Sequence, residues 1–296
     1  MPQQPGDYDT ALGWLDAEVP VLLAAQRRAA STGRDTHTWQ LAWALDAVLF
    51  RQGRWHDQVS AWQTALPPAG RLPHPAAAYA HRILGWASTR LEDHERAHTH
   101  LDRALRLYAE AGDPVGQAHT HLALSLLGER RDRPEQALDH AQQALTLYQA
   151  AGHRHGHANA LNAVGWDRAL LGDHASALTY CQQALTLQEQ LGDRFGQAAA
   201  WDSLGYAHHH LGHHSHATDS YAHALSLYRA LGDHYNEADV LAHLGETHHA
   251  AGQHDHARTA WAAALAILTD LDHPDAATVR AKLTALDPEA PAVPDR

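Results

Sequence analysis

The sequence predicts an all-α fold: a right-handed α-solenoid of about six 40-residue helical hairpins, with extra amino-terminal helices and a carboxy-terminal capping helix. Three observations predict it. Shifting the 296-residue chain by 40 positions superimposes AGDPVGQA (Ala111 to Ala118), AGHRHGHA (Ala151 to Ala158), LGDRFGQA (Leu191 to Ala198) and LGDHYNEA (Leu231 to Ala238) without a gap. The same shift aligns Gly85, Gly165, Gly205 and Gly245, then Ala137, Ala177, Ala217 and Ala257, then Leu105, Leu145, Leu185, Leu225 and Leu265. Finally, hydrophobic residues make up 45% of the chain with only two Phe, and the dominant Ala and Leu both favour helix.

In chain order, residues 1–34 read as amino-terminal helices, 35–270 as the repeat array, and 271–296 as a capping helix and disordered tail. Helix pairs fall at 35–66, 74–111, 114–151, 155–191, 195–231 and 235–270, and the cap at 274–285. Within a pair, apolar residues recur three and four apart, as in Leu161, Val164, Ala177, Cys181, Ala184 and Leu185, and Leu171-Gly172-Asp173 makes the turn. The segment Leu66 to Pro75, LPPAGRLPHP, is the Pro-rich interior loop and is expected to offset the first hairpin. Gly165 and its equivalents let the two helices of a hairpin approach closely, and Ala177 and Ala184 do so between hairpins.

Trp201, Leu204, Gly205, Ala217, Tyr221 and Ala224 resemble the tetratricopeptide repeat signature. The usual unit is about 34 residues, so a 40-residue period implies longer helices and a longer groove wall. WLDAEVPVLLAAQRRA (Trp14 to Ala29), WQLAWAL (Trp39 to Leu45), GRWHDQ (Gly53 to Gln58), GYAHHHLGHH (Gly205 to His214), GETHHAAGQ (Gly245 to Gln253) and LDHPDAATVRAKL (Leu271 to Leu283) are similar to the tetratricopeptide region of actinobacterial antibiotic-regulatory and STAND-type regulators. That resemblance implies a sensor array following DNA-binding and nucleotide-binding domains, and a role in gene expression or secondary metabolism. The phosphate loop of those domains needs a lysine after glycine, and the only lysine here is Lys282.

A net charge of −12 offers no basic face for nucleic acid. The start MPQQPG carries no export signal, and Ala260 to Leu268 is far short of the ~20 apolar residues a membrane span needs. Cys181, the single cysteine, cannot form an internal disulfide, so the expected location is the cytoplasm.

In such an array the first helix of each pair lines the concave surface. The inward positions give Asn159, Asn162, Trp166, Asp202, Tyr206, His209, Asp239, Glu246 and His249 as candidate ligand-binding residues, with Trp86 at the equivalent place in an earlier unit. They describe a polar, anionic groove edged by aromatic residues, suited to a peptide or protein segment with a cationic group, or to a small effector. Asp202 is the first choice for the cation, and Asn159 and Asn162 for a ligand backbone. The plain alternative is a solvated concave face. No cofactor and no metal are expected.

Two other functional classes stay open. Asp202, Tyr206, His209, Asp239, Glu246 and His249 could assemble an acid/base site, although nothing fixes their geometry; Cys181 reads as core. A structural adaptor could self-associate as a homodimer, or dock an upstream domain, through Trp14, Trp39 and Trp43. Histidine is abundant, 28 residues, but no His-Glu-x-x-His motif accompanies it, so most read as exposed surface, with His208 and His248 packed between helices. Half-protonated near pH 6.5, they would add roughly 14 charges and cancel the −12.

Overall fold

A computed structural model describes residues 8–69, 71 and 76–286. Among them there are fourteen helices: α1 (Tyr8–Ser31), α2 (Asp35–Arg51), α3 (Trp55–Ala69), α4 (Ala76–Arg90), α5 (His94–Glu110), α6 (Pro114–Arg130), α7 (Pro134–Ala150), α8 (Arg154–Leu170), α9 (His174–Leu191), α10 (Arg194–His210), α11 (His214–Leu231), α12 (His234–Ala250), α13 (His254–Asp270) and α14 (Asp275–Leu286). No helix is long and apolar enough to cross a membrane among the described residues. The all-α hairpin array expected from the 40-residue repeat is the observed fold, and helices of 17 or 18 residues account for the long unit.

Several boundaries have a local cause. Asp113, Asp173, Asp193 and Asp233 precede helices and accept a hydrogen bond from the N–H three residues on, at 2.8, 3.2, 3.0 and 3.1 Å. His153 stands where the repeat has Asp, and its Nδ1 accepts from Gly156 N–H at 3.0 Å, so an imidazole does the same capping. Helices α9 and α11 end on Gly192 and Gly232, with φ of 68° and 66°, the left-handed conformation that closes a helix at no Cβ cost. Glycine also sets the hairpin spacing: a Cβ on Gly205 would lie 2.5 Å from the Tyr221 ring, and one on Gly165 2.4 Å from Cys181 Sγ.

The chain divides into two compact units, Met1–His157 and Ala158–Arg296. In unit 1 the core gathers Val19, Leu23, Leu45, Leu49, Trp62 and Leu84, and Trp39 packs edge-on to Trp62 and Tyr79 at 6.0 Å. Trp39 is therefore a core residue rather than part of a docking face, whereas Trp14 and Trp43 are exposed. One helix, α1, occupies the described part of the amino-terminal stretch. Helix α3 runs past Leu66 to Ala69, further than the proline pair suggested, and Arg71 ties the start of the following segment to Asp35 at 2.5 and 2.6 Å. The rest of that Pro-rich segment and the expected disordered tail lie outside the described residues. In unit 2, α10 packs on α9 and α11, α12 on α11 and α13, and α14 covers α13 as the expected cap.

Candidate functional site

In unit 2 the first helices of three successive hairpins carry the candidate residues: Asn159, Asn162 and Trp166 on α8, Asp202, Tyr206 and His209 on α10, and Asp239, Glu246 and His249 on α12. The exact 40-residue register sets equivalent positions on the same face, and two aromatic candidates meet there: the Trp166 and Tyr206 rings lie 4.7 Å apart.

The centre of the arrangement is His243, which the sequence reading did not select. Its Nδ1 lies 3.0 Å from Asp202 Oδ1, with the two side chains 14% and 15% exposed. Trp166, Tyr206 and Tyr221 surround it with ring centroids at 5.9, 5.7 and 5.9 Å. Burial works against charge on the imidazole, but the carboxylates of Asp202, Asp239 and Glu246 outweigh it and hold His243 up to about 9. Burial also pushes the Asp202 carboxyl up, opposed by the attraction of His243. At neutral pH the pair is an imidazolium beside a carboxylate, boxed by rings whose faces favour a cation.

Glu246 is likewise met from within, by Lys282 of α14. Thr247 donates its hydroxyl to the His243 carbonyl at 3.0 Å, so its oxygen is left to accept from His209 Nδ1 at 2.9 Å. Asn159 Oδ1 accepts from Gln188 Nε2 at 3.3 Å. His249 is exposed, and its ring lies 5.3 Å from His254 and 5.7 Å from Trp261, against α13 and apart from the Asp202 cluster. Two groups differ. Asn162 Oδ1 is buried without a hydrogen-bond partner, and the partly buried Asp239 carboxylate has neither hydrogen bond nor ion pair among the described residues.

Two internal cations thus stand among the carboxylates of the expected anionic groove. Asp202 and Glu246 contact internal cations directly, whereas Asp239 acts on His243 only through its charge, with no hydrogen bond or ion pair among the described residues. His243 escaped notice because the repeat places Ala163 and Ser203 at its register position, and Lys282 was weighed only against a phosphate loop. Cys181 is core, as expected, its thiol pushed up to about 12 by burial. Trp86, in unit 1, packs on Phe50 at 4.8 Å and Trp55 at 5.1 Å.

The histidine charge reading also needs correction. Burial holds His81 and His121 down to about 4 and His119 to about 3, and lowers His100, His140, His208, His209 and His210. These lowered groups take up their charge only at lower pH, so the change of sign moves to a lower pH than even half-protonation at 6.5 implies. Among the described residues no three His, Cys, Asp or Glu side chains converge as metal ligands.

The tetratricopeptide repeat family profile matches residues 115–190 and 168–230. No curated protein matches the chain. Among solved structures, the fold is similar to the Rap conjugation gene regulator of plasmid pLS20 in complex with the Phr peptide: 17% identity, TM-score 0.67, 87% of this chain and 71% of that one. A Rap protein complexed with Competence and Sporulation Factor is 14% identical with TM-score 0.63, over 86% of this chain and 76% of that one. A STAND protein with a tetratricopeptide sensor from Pyrococcus horikoshii is 15% identical with TM-score 0.57, over 95% of this chain and 44% of that one. This chain therefore spans less than half of the STAND protein's length, and likeness at these identities establishes the tetratricopeptide-type fold.

Proposed function

We propose that unit 2 binds an extended peptide or protein segment across the face of α8, α10 and α12. The observation that carries this reading is the contrast within one face: Asp202, Glu246, His209 and Asn159 have internal partners, whereas the Asn162 carbonyl and the Asp239 carboxylate do not. A buried acceptor without a donor is costly, and a ligand N–H removes that cost. Asn162 Oδ1 takes a backbone N–H of the segment, Asp239 takes a basic side chain or amino group, and Trp166 with Tyr206 forms the apolar wall. Asp202 and His243 hold α10 to α12 beneath the ligand and are positioning residues. The fold likeness to two Rap proteins solved with a peptide or factor supports a peptide ligand, and the likeness to a STAND sensor array supports a regulatory setting.

An acid/base reading draws on the convergence of Asp202, Tyr206, Tyr221 and His243. It is the weaker one, because an imidazole held near 9 is a poor base at neutral pH and the one thiol is buried in the core. The exposed Trp14 and Trp43 of unit 1 suit a separate contact, to a second copy or an upstream domain.

Selection from a phage-displayed library of 12-residue peptides on the full chain tests the peptide reading. Wild type should enrich Lys- or Arg-bearing peptides, Asp239→Asn should lose that enrichment, and Asn162→Ala should weaken the selected peptides by about 1–3 kcal/mol. Recovery of the same peptides at equal affinity by Asp239→Asn would contradict the reading.

A further inference from the structure

Two imidazole pairs repeat in unit 1 at the 40-residue spacing. His81 Nδ1 lies 2.8 Å from His100 Nδ1 across α4 and α5, and His121 Nδ1 lies 3.1 Å from His140 Nδ1 across α6 and α7. In each pair one Nδ1 donates to the other, so two ring nitrogens point at a shared proton. With metal–nitrogen bonds of about 2.0 Å, two ligands at a right angle stand about 2.9 Å apart, and tetrahedral ones about 3.3 Å. Both pairs therefore already have the bite of a two-nitrogen chelate.

Their surroundings differ in charge. Arg103 and Arg106 act on His81, and Arg96 acts on His100 ahead of the single carboxylate of Asp93. The carboxylates of Asp139 and Asp102 act on His140, together with His98. Asp102 and His98 lie 3.5 Å apart on α5, with side chains 42% and 53% exposed, so this carboxylate near the second pair is open to solvent.

We propose that His121 and His140 form a two-nitrogen chelating site for a divalent copper or nickel ion, with water completing the coordination and the charges of Asp102 and Asp139 favouring the cation without ligating it. Ligands of nitrogen and oxygen in a tetragonal arrangement suit these two ions. Binding uses both Nδ1 lone pairs, so the proton now joining the rings moves to a ring Nε2 and none need be lost. The His81 and His100 pair has the same bite but lies among guanidinium groups, which repel a dication, so it serves as the internal control.

The test is titration of the full chain with one equivalent of Cu2+ at pH 7.5, read by electron paramagnetic resonance and by competition with a chelator of known affinity. Nitrogen hyperfine splitting should report two nitrogens in the first equivalent. His140→Ala should weaken that equivalent by at least about tenfold, since even residues that only orient ligands are worth ~10–100-fold. His100→Ala should leave it unchanged. Because His121 and His140 sit against the hairpin interior, the exposed Asp139→Asn, which disturbs no packing, is the second variant, and it too should weaken binding. Unchanged affinity in His140→Ala, or an equal loss in His100→Ala, would overturn the site.

Discussion

Two buried histidines, one in each unit, are held in opposite charge states. In unit 1, His119 donates to or accepts from Tyr148 Oη at 2.6 Å, no carboxylate offsets its burial, and it is held down to about 3. In unit 2, His243 is buried as deeply among aromatic rings, yet three carboxylates hold it up to about 9. The buried carboxylates follow the same division. Asp46 of unit 1 accepts from Gln58 Nε2 at 2.8 Å and Trp62 Nε1 at 2.7 Å, neutral donors, whereas Asp202 of unit 2 faces a cation. Burial alone therefore does not set the state of a histidine in this repeat; the group opposite does, a carboxylate of the preceding first helix α10 for His243 and a phenol of α7, in its own hairpin, for His119.

The largest break in this comparison comes from removing one partner of the pair. His243→Leu leaves Asp202 buried and unpaired, and should cost about 3–5 kcal/mol in denaturant unfolding, while adding Asp202→Leu should restore much of that loss. If the double variant is no more stable than the single one, the pair is not what the first substitution breaks.

Glycine substitutions compare the units next. Gly205→Ala drives a Cβ to 2.5 Å from the rigid Tyr221 ring, and should cost about 1–3 kcal/mol. Gly85→Ala meets Leu101 Cγ at the same 2.5 Å, but that aliphatic side chain can turn, so its cost should be smaller. Equal losses would mean that backbone movement, not the partner's rigidity, absorbs the added methyl.

The pH response should separate the units further. His243 is raised from 6.5, so its contribution is complete below pH 6.5 and is lost as pH rises toward 9; unit 2 should weaken on that side. His81, His119 and His121 are lowered, so the unfolded chain takes protons first and unit 1 should weaken as pH falls below 6.5. The lowered His208, His209 and His210 give unit 2 an acid-side loss as well, so the alkaline loss is what separates the units. Hydrogen exchange, corrected for its intrinsic pH dependence and resolved by peptide, checks it; an equal alkaline loss in unit 1 would break the comparison.

The smallest effect sharpens it. Glu92 and Asp132 of unit 1 sit at φ of 59° and 54°, where the repeat in unit 2 has Gly172, Gly212 and Gly252. Glu92→Gly removes that strain and should raise stability by about 0.5–1 kcal/mol in thermal unfolding, whereas a loss would mean the Glu92 side chain stabilises its turn.

The helices were legible in the sequence because their causes are local and repeat: Asp at several caps, Gly at the close approaches, Ala at the crossings. The face bearing the site was legible for the same reason. What the residues on it do was not. Asp202 and His243 are 41 positions apart and Glu246 and Lys282 are 36 apart, so neither pairing follows from a register that aligns like with like at 40. Pairing across neighbouring first helices depends on their relative rise and on rotamers, and an acid read alone looks available when its cation lies one turn away on the next helix.

The central claim is that His243 is a permanent cation beneath the proposed ligand face, so that Asp202 belongs to the protein and Asp239 to the ligand. A nuclear magnetic resonance titration of the His243 imidazole tests it most directly. The account predicts a midpoint near 9 that falls toward the ordinary histidine value in Asp202→Asn; a wild-type midpoint at or below about 6.5 would contradict it.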